Sequence, residues 1–270
     1  MRARILIDNI AENGFTGEWG LAVWIKYGEH KLLLDTGTTG VFVENARAMG
    51  IDLSQAELCV ISHGHYDHAD GLTAFFRENN HARVYFRDTA QKHYYGKKEG
   101  KYRYIGVNRE IFKRYAGRIE FARGNVQLLP GVWLIPHSSA GLEKIAARSD
   151  LYVRRWLRLR PDNFSHEQSL VFETENGLVI FNSCSHAGPD NIIAEVNAAF
   201  PGRKICALIG GLHLYRLTDD EMRAFADRLR KTGVKKVLTG HCTGDRAFEV
   251  LKQELGETVE QLYTGMEIEV

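Results

Sequence analysis

One short segment of the chain concentrates residues that bind metal ions. Residues 63–68 have the sequence His-Gly-His-Tyr-Asp-His, which places three imidazoles and one carboxylate within six positions. In an extended segment, His63 and His65 point to the same side and can hold one ion. Asp67 and His68 project differently and can hold a second ion nearby. Neutral imidazole and carboxylate are ligands that zinc, iron and manganese accept. A surface loop with chance histidines rarely collects four such residues in six positions, so we predict a metal site here.

Further histidines follow predicted strands later in the chain. His186 and His241 each come shortly after a strand, and His213 comes after a Gly-Gly turn at another strand end. Two roles fit His213, because histidine can contact substrate or carry protons near neutral pH, but it can also simply cap a strand. His137 and His166 flank a less regular stretch, and we expect a surface role for both.

The elements that must position these residues alternate in type along the chain. Short apolar runs bounded by turn residues predict strands, and apolar residues at helical spacing predict helices. The predicted strands cover 21–27, 31–35, 57–62, 84–87, 126–129, 132–136, 169–174, 177–182, 206–209, 234–239 and 259–270. The predicted helices cover 41–49, 71–79, 190–200, 219–232 and 245–255. This alternation indicates an α/β chain, in the broad sense that includes α+β folds.

Two irregular stretches interrupt the pattern, and we interpret them as lid-like inserts at about 92–118 and 138–166 within a single domain spanning 1–270. The second stretch carries Arg154, Arg155 and Arg158, which we predict to bind substrate because guanidinium groups clasp phosphate oxygens. The first stretch carries a further cationic cluster that is interleaved with tyrosines: Lys97, Lys98, Lys101, Arg103 and Arg109. A solvated basic face or a subunit contact is the alternative interpretation for both.

Composition narrows the classes of partner and compartment. Lys plus Arg is 35 and Asp plus Glu is 34 in 270 residues, a balance that argues against a dedicated nucleic-acid binder. No apolar run is long enough for a signal peptide or a membrane span. The four cysteines are widely spaced without a CxxC pair, which favours a reduced, cytoplasmic setting. We therefore expect a small-molecule substrate, and the oligomeric state stays open.

The histidine motif resembles that of the metallo-β-lactamase superfamily, and so does the segment Leu-Leu-Leu-Asp-Thr-Gly at 32–37. The resemblance implies a four-layer αββα sandwich with an inserted lid region, and it gives Asp35 a supporting role behind the metal ligands. The segments at 62–68, 184–188 and 210–214 together resemble one subgroup. That subgroup includes synthases that join a pterin to ribofuranosylaminobenzene phosphate.

The resemblance also implies how the ligands are shared. It assigns His186 to the first ion, together with His63 and His65, and His241 to the second ion, together with Asp67 and His68. Many members of the superfamily bridge the two ions with an aspartate near position 184, where this chain has Cys184. That residue either supplies a thiolate or is a buried small hydrophobe, and the sequence leaves both interpretations open.

These observations predict a metal-dependent hydrolase. A metal-activated water would attack an ester or phosphoester of a phosphorylated small molecule, with Asp67 and His213 as the catalytic side chains. One or two divalent ions are expected, zinc first, with manganese, ferrous iron and magnesium as alternatives. The subgroup suggests a second function, a condensing transferase that releases pyrophosphate. A non-catalytic metal-binding regulatory module is a third, although the intact ligand set disfavours it.

Overall fold

The computed structural model describes all 270 residues. Its strands, in chain order, are β1 (Arg2–Ile7), β2 (Ala22–Tyr27), β3 (His30–Leu34), β4 (Leu58–Val60), β5 (Arg83–Arg87), β6 (Tyr94–Lys98), β7 (Lys101–Tyr104), β8 (Ile119–Ala122), β9 (Val126–Leu129), β10 (Val132–Pro136), β11 (Leu151–Arg155), β12 (Arg158–Pro161), β13 (Gln168–Thr174), β14 (Gly177–Phe181), β15 (Ile205–Ile209), β16 (Lys236–Thr239), β17 (Val259–Gln261) and β18 (Glu267–Glu269). Its α-helices are α1 (Val41–Ala48), α2 (Tyr66–Ala69), α3 (Leu72–Glu78), α4 (Arg109–Arg114), α5 (Leu142–Arg148), α6 (Pro189–Ala199), α7 (Asp219–Thr232) and α8 (Asp245–Leu255).

Two seven-stranded sheets form the body of the molecule. The first has the strand order β18-β1-β2-β3-β4-β5-β8, and the second has the order β17-β16-β15-β14-β13-β10-β9. Their strands bury side chains on both faces because each sheet packs against its partner on one side and against helices on the other. In β2, for example, Val23 and Ile25 face the second sheet, whereas Trp24 belongs to the apolar cluster under the helices.

Helices cover the outer face of each sheet. Helices α1, α3 and α4 pack on the first sheet, and α5 to α8 pack on the second. The longest, α7, begins at Thr218 with a reciprocal capping box to Glu221 and ends at Gly233 in the left-handed region. The layers are therefore helix, sheet, sheet and helix, which confirms the predicted αββα sandwich. No helix combines the length and apolar character needed to cross a bilayer.

The two irregular stretches form one structure. Strands β6 and β7 from the first stretch join β11 and β12 from the second in a four-stranded sheet with the order β12-β11-β6-β7. Within residues 138–166, α5 is the only α-helix, and β11 and β12 are the strands. Strand β11 pairs antiparallel with both β12 and β6, in the second case across more than fifty residues of chain. Local sequence pattern does not reveal such a distant pairing.

The sandwich brings several strand ends to one edge. Strands β3, β4 and β5 run parallel to one another in the first sheet, and β14, β15 and β16 do so in the second. Because parallel strands end at the same edge, the loops after β4, β14, β15 and β16 meet there, and they carry the predicted site residues.

Candidate metal centre

The first group of site residues is a triad of buried histidines. His63 and His65 follow β4, and His186 follows β14 on the opposite sheet. One side-chain nitrogen of each lies within 4.8 Å of the others, and the Nε2 atoms of His63 and His186 are 3.3 Å apart. Burial, reinforced by the neighbouring histidines, lowers the pKa of all three rings well below the usual value. The triad is therefore neutral, as a metal ligand must be.

The second group contains a carboxylate and two histidines. Asp67, His68 and His241 also offer ligand atoms within 4.8 Å of one another. The Nε2 atoms of the two histidines are 3.2 Å apart, and the Asp67 carboxylate lies 3.8 and 3.7 Å from them. Asp67 and His68 lie in the short helix α2 rather than in an extended loop, and the His68 ring lies 4.3 Å from that of His63, centroid to centroid.

The Asp35 carboxylate connects the two groups by hydrogen bonds, directly to His68 and through Ser62 to His63. Its Oδ2 accepts a hydrogen bond from His68 Nδ1 at 2.8 Å and another from the Ser62 hydroxyl at 2.7 Å. Its Oδ1 accepts the Ser62 backbone N–H at 2.7 Å. The Ser62 oxygen in turn lies 2.9 Å from His63 Nδ1. One buried carboxylate thus fixes the ring orientation of a histidine in each group.

These contacts show that the residues fit a metal ion. Because Asp35 and the Ser62 oxygen accept at Nδ1, His68 and His63 carry their proton there, and a neutral ring then presents a bare lone pair at Nε2. His241 has the same arrangement, since its Nδ1 contacts Asn9 Oδ1 at 3.1 Å. Two Nε2 lone pairs at this distance repel each other unless a cation, either a metal ion or a proton, lies between them. Two nitrogens bound tetrahedrally to one zinc ion at about 2.0–2.1 Å are separated by about 3.3 Å, which matches both pairs.

Two further features support a cation at this position. His65 Nε2 is buried without any hydrogen-bond partner, which is costly unless a ligand satisfies it. Burial lowers the pKa of His68, but Asp67 and Asp35 outweigh that effect and raise it to about 9. The environment of this ring therefore favours a positive charge, which either a proton or a metal ion can supply.

Two other predicted residues lie beside these groups. The Cys184 sulfur is 3.2 Å from His68 Nε2. The ring of His213 lies 4.3 Å from that of His186, centroid to centroid. Both ring nitrogens of His213 are buried without a partner, and its backbone is left-handed with φ +52°. Its ring therefore lies beside the first group of ligands, with both nitrogens available to a bound molecule.

A cleft opens above the two groups. Its wall includes the aromatic residues Trp19, Tyr66 and Tyr215 and strands of the small third sheet. The cationic side chains in this wall are Lys97, Lys98, Arg103 and Arg216. Arg216 is paired with Asp150 at 2.9 Å, but the other three cations form no ion pair with a carboxylate.

The structure requires a correction for the arginines predicted to bind substrate. Arg154, Arg155 and Arg158 are exposed on the β11–β12 hairpin, and none of them lines the cleft. The hairpin ends in Trp156, which is 96% exposed, so its tip extends into solvent. The cluster in the first insert supplies the cleft cations instead.

The surface role expected for His137 and His166 is also wrong, because both are buried. His166 Nε2 contacts Asp162 at 3.0 Å, and its Nδ1 accepts the Gly64 backbone N–H at 2.9 Å. This pair fixes the backbone between His63 and His65. No sequence pattern indicated that burial, because both histidines lie next to an arginine-rich, irregular stretch.

Sequence reasoning missed three supporting side chains. Buried Glu167 accepts the backbone N–H groups of His186 and Ala187 at 2.8 and 2.9 Å. Asn9, after β1, contacts His241 through both its side-chain oxygen and its amide nitrogen. Ser62 is the third. Only Ser62 had a sequence signal, because it adjoins the histidine motif. Asn9 follows β1, a strand that was not predicted, and Glu167 is a single carboxylate in an irregular region.

Comparisons with known proteins agree on the class. The family model of the metallo-beta-lactamase superfamily matches residues 19–146. The crystal structure of Tm1679, described as a metal-dependent hydrolase of the beta-lactamase superfamily, aligns with a TM-score of 0.86 and 33% identity. The alignment covers 100% of this chain and 99% of that one. The chain therefore belongs to the metallo-β-lactamase superfamily, which confirms the resemblance seen in its motifs.

Two other relatives extend the comparison. A 7,8-dihydropterin-6-methyl-4-(beta-D-ribofuranosyl)-aminobenzene-5'-phosphate synthase of Methanocaldococcus jannaschii is 28% identical over 245 residues, covering 87% of this chain and 83% of the synthase. Zinc-bound PqqB from Methylobacterium extorquens is 13% identical with a TM-score of 0.59 over the whole of both chains. The second likeness shows a common fold alone.

The role of Asp35 leads to a prediction. Asp35→Asn replaces one acceptor oxygen with an amide that donates, so at least one of the three hydrogen bonds from Ser62 and His68 is lost. We expect metal affinity to fall by about 10- to 100-fold, as it does when outer-shell partners of metal-bound histidines are removed. Competition with a chromophoric chelator measures this. Asp52→Asn, the same change at an exposed carboxylate, is the control. A folded Asp35→Asn protein with unchanged affinity would contradict the assignment.

Proposed function

We propose that this protein is a metal-dependent hydrolase that cleaves an ester or phosphoester bond in a phosphorylated small molecule. The observation that carries the proposal is the pair of histidine groups whose Nε2 atoms face each other at 3.2 and 3.3 Å at the base of an open cleft. His63, His65 and His186 would hold one ion, and Asp67, His68 and His241 a second. Zinc suits these ligands best, with manganese, ferrous iron and magnesium as alternatives.

The bound metal would supply a water of lowered pKa and stabilise the negative charge that develops on the substrate. Asp67 orients the attacking water beside its own group of ligands. His213 holds or moves a proton at its unpartnered ring nitrogens, which makes it the candidate for protonating the leaving group. Because its ring lies next to that of His186, the proton is delivered close to the reacting bond.

The cleft wall suggests a substrate with a phosphate and a flat ring. Lys97, Lys98 and Arg103 are cations without a carboxylate partner, so they can bind phosphate oxygens. Trp19 and Tyr66 offer ring faces on which a planar group can stack. In this proposal the third sheet, built from the two inserts, is the lid that selects the substrate.

A condensing transferase is the second candidate, and the 28% identity to the archaeal synthase is the observation that favours it. Such a reaction would release pyrophosphate, which the same cleft cations could hold. The two functions differ in their dependence on an acceptor. A transferase produces pyrophosphate only when the acceptor is present, whereas a hydrolase turns over its substrate with water alone.

We further propose that the protein acts in the cytoplasm as a small-molecule enzyme. All four cysteines are free thiols, two of them beside the metal ligands, and a reducing compartment preserves them. The net charge of +1 favours a small-molecule substrate over nucleic acid.

A ligand variant tests the proposal. His65→Ala should lose the ion of the first group, and its hydrolysis of phosphodiesters, phosphomonoesters or lactones should fall to the level of metal-free protein. Metal analysis and turnover are measured on the same sample. His81→Ala removes an exposed histidine and should change neither quantity. Full metal content and full turnover in His65→Ala would show that the site is assigned wrongly.

Charge reversal tests the substrate class. Lys97→Glu combined with Arg103→Glu should raise KM for a phosphorylated ester by roughly tenfold or more, since two attractive charges become repulsive, with little change for an uncharged ester. Arg155→Glu combined with Arg158→Glu is the matched control, because these residues lie outside the cleft. A rise in KM for the phosphorylated ester in the control pair alone would show that the hairpin arginines, and not the cleft cations, bind the substrate phosphate.

A further inference from the structure

We propose that Cys184 is a thiolate ligand shared by the two metal positions. The Cys242 sulfur lies beside it as a second soft donor. The centre therefore selects thiophilic ions such as zinc or ferrous iron over magnesium and manganese. The inference rests on the proposed metal centre and specifies which ions it accepts. It concerns residues that the histidine motif does not include.

The Cys184 sulfur lies close to ligand atoms of both groups. It lies within 4.8 Å of ligand nitrogens of His63, which belongs to the first group, and of His68, which belongs to the second. It also lies within 4.8 Å of a His241 nitrogen. A side chain within reach of both groups can contact either ion. An aspartate at this position would offer a hard oxygen ligand, whereas Cys184 offers a soft sulfur.

The second sulfur lies next to the first. Cys184, His241 and Cys242 form a further cluster whose ligand atoms are all within 4.8 Å of one another. The Cys242 sulfur is also 3.6 Å from the Cys184 backbone oxygen. Two sulfurs and an imidazole nitrogen in one buried cluster form a soft donor set, which favours zinc over magnesium and manganese.

The backbone is shaped to bring these sulfurs together. A Cβ at Gly211 would lie 2.6 Å from the Cys242 sulfur and 2.8 Å from the Ser183 oxygen. Gly210 has φ +135°, and a Cβ there would lie 2.1 Å from the Asn182 oxygen. The loops after β14, β15 and β16 can therefore approach one another only because both positions are glycine.

A buried cysteine often serves as a small apolar residue, but these two do not fit that role. Cys59 does, because it belongs to the apolar cluster beneath α1 and α3. Cys206 likewise packs at the edge of the cluster between the sheets. Cys184 and Cys242 are buried, as Cys59 is, but they belong to none of the three apolar clusters. Their neighbours are imidazole nitrogens, which are the neighbours of a ligand.

Cobalt substitution tests the inference with a readout independent of activity. The full-length protein is freed of metal and reconstituted with Co²⁺, whose visible d–d bands report binding and whose near-ultraviolet charge-transfer band reports a thiolate ligand. We expect both in the wild type. Cys184→Ser should keep the d–d bands and lose the charge-transfer band, while Cys206→Ser should keep both. Cys242→Ser should keep the charge-transfer band at a shifted energy.

Selectivity provides the second readout. Cys184→Asp replaces a soft thiolate with a hard carboxylate oxygen, so the ratio of Zn²⁺ to Mn²⁺ affinity should fall. We expect a fall of roughly tenfold or more, since losing even an indirect partner of a metal ligand costs about that much in affinity. Wild-type protein that shows d–d bands without charge transfer would overturn the thiolate assignment and leave the metal centre intact. Wild-type protein that binds no cobalt at all would overturn the metal centre itself, and the thiolate assignment with it.

Discussion

The Asp35 carboxylate is buried at the end of β3 and accepts three hydrogen bonds from Ser62 and His68. Its backbone is left-handed, with φ +57°, a conformation that aspartate tolerates better than most residues. A buried carboxylate is stable only when its oxygens are satisfied, so these bonds also fix the loop after β4. An acceptor therefore lies at Nδ1 of both His68 and His63, and the Nε2 atom of each ring is directed at the proposed ion positions.

Histidines that follow strands of the second sheet complete the two groups of ligands. His186 and His241 follow β14 and β16, and each is fixed by a polar residue from elsewhere in the chain, Glu167 and Asn9 respectively. The two sheets must therefore pack in one relative position before either group of ligands is complete. Because the apolar cluster between the sheets sets that position, the stability of the sandwich and the geometry of the site depend on the same packing.

The sequence allowed prediction of the parts of the site that have local signals. The spacing within 63–68 indicated two groups of ligands, and the family resemblance assigned His186 and His241, at strand ends, to them. Contacts between distant segments gave no such signal. The β6–β11 pairing, the Asp162–His166 pair and the support from Glu167 depend on tertiary packing, and a single carboxylate or histidine in an irregular stretch cannot be told from a surface residue. The arginine-rich hairpin shows the converse error, since its charge predicted substrate contact but its turn directs it into solvent.

Both groups of side chains are arranged to hold a cation. Anomalous scattering from crystals grown with zinc, recorded on both sides of the zinc absorption edge, tests it most directly. We expect one peak among His63, His65 and His186 and another among Asp67, His68 and His241, with zinc–nitrogen distances of about 2.0–2.1 Å. Zinc peaks that lie only elsewhere, with these histidine nitrogens unligated, would contradict it.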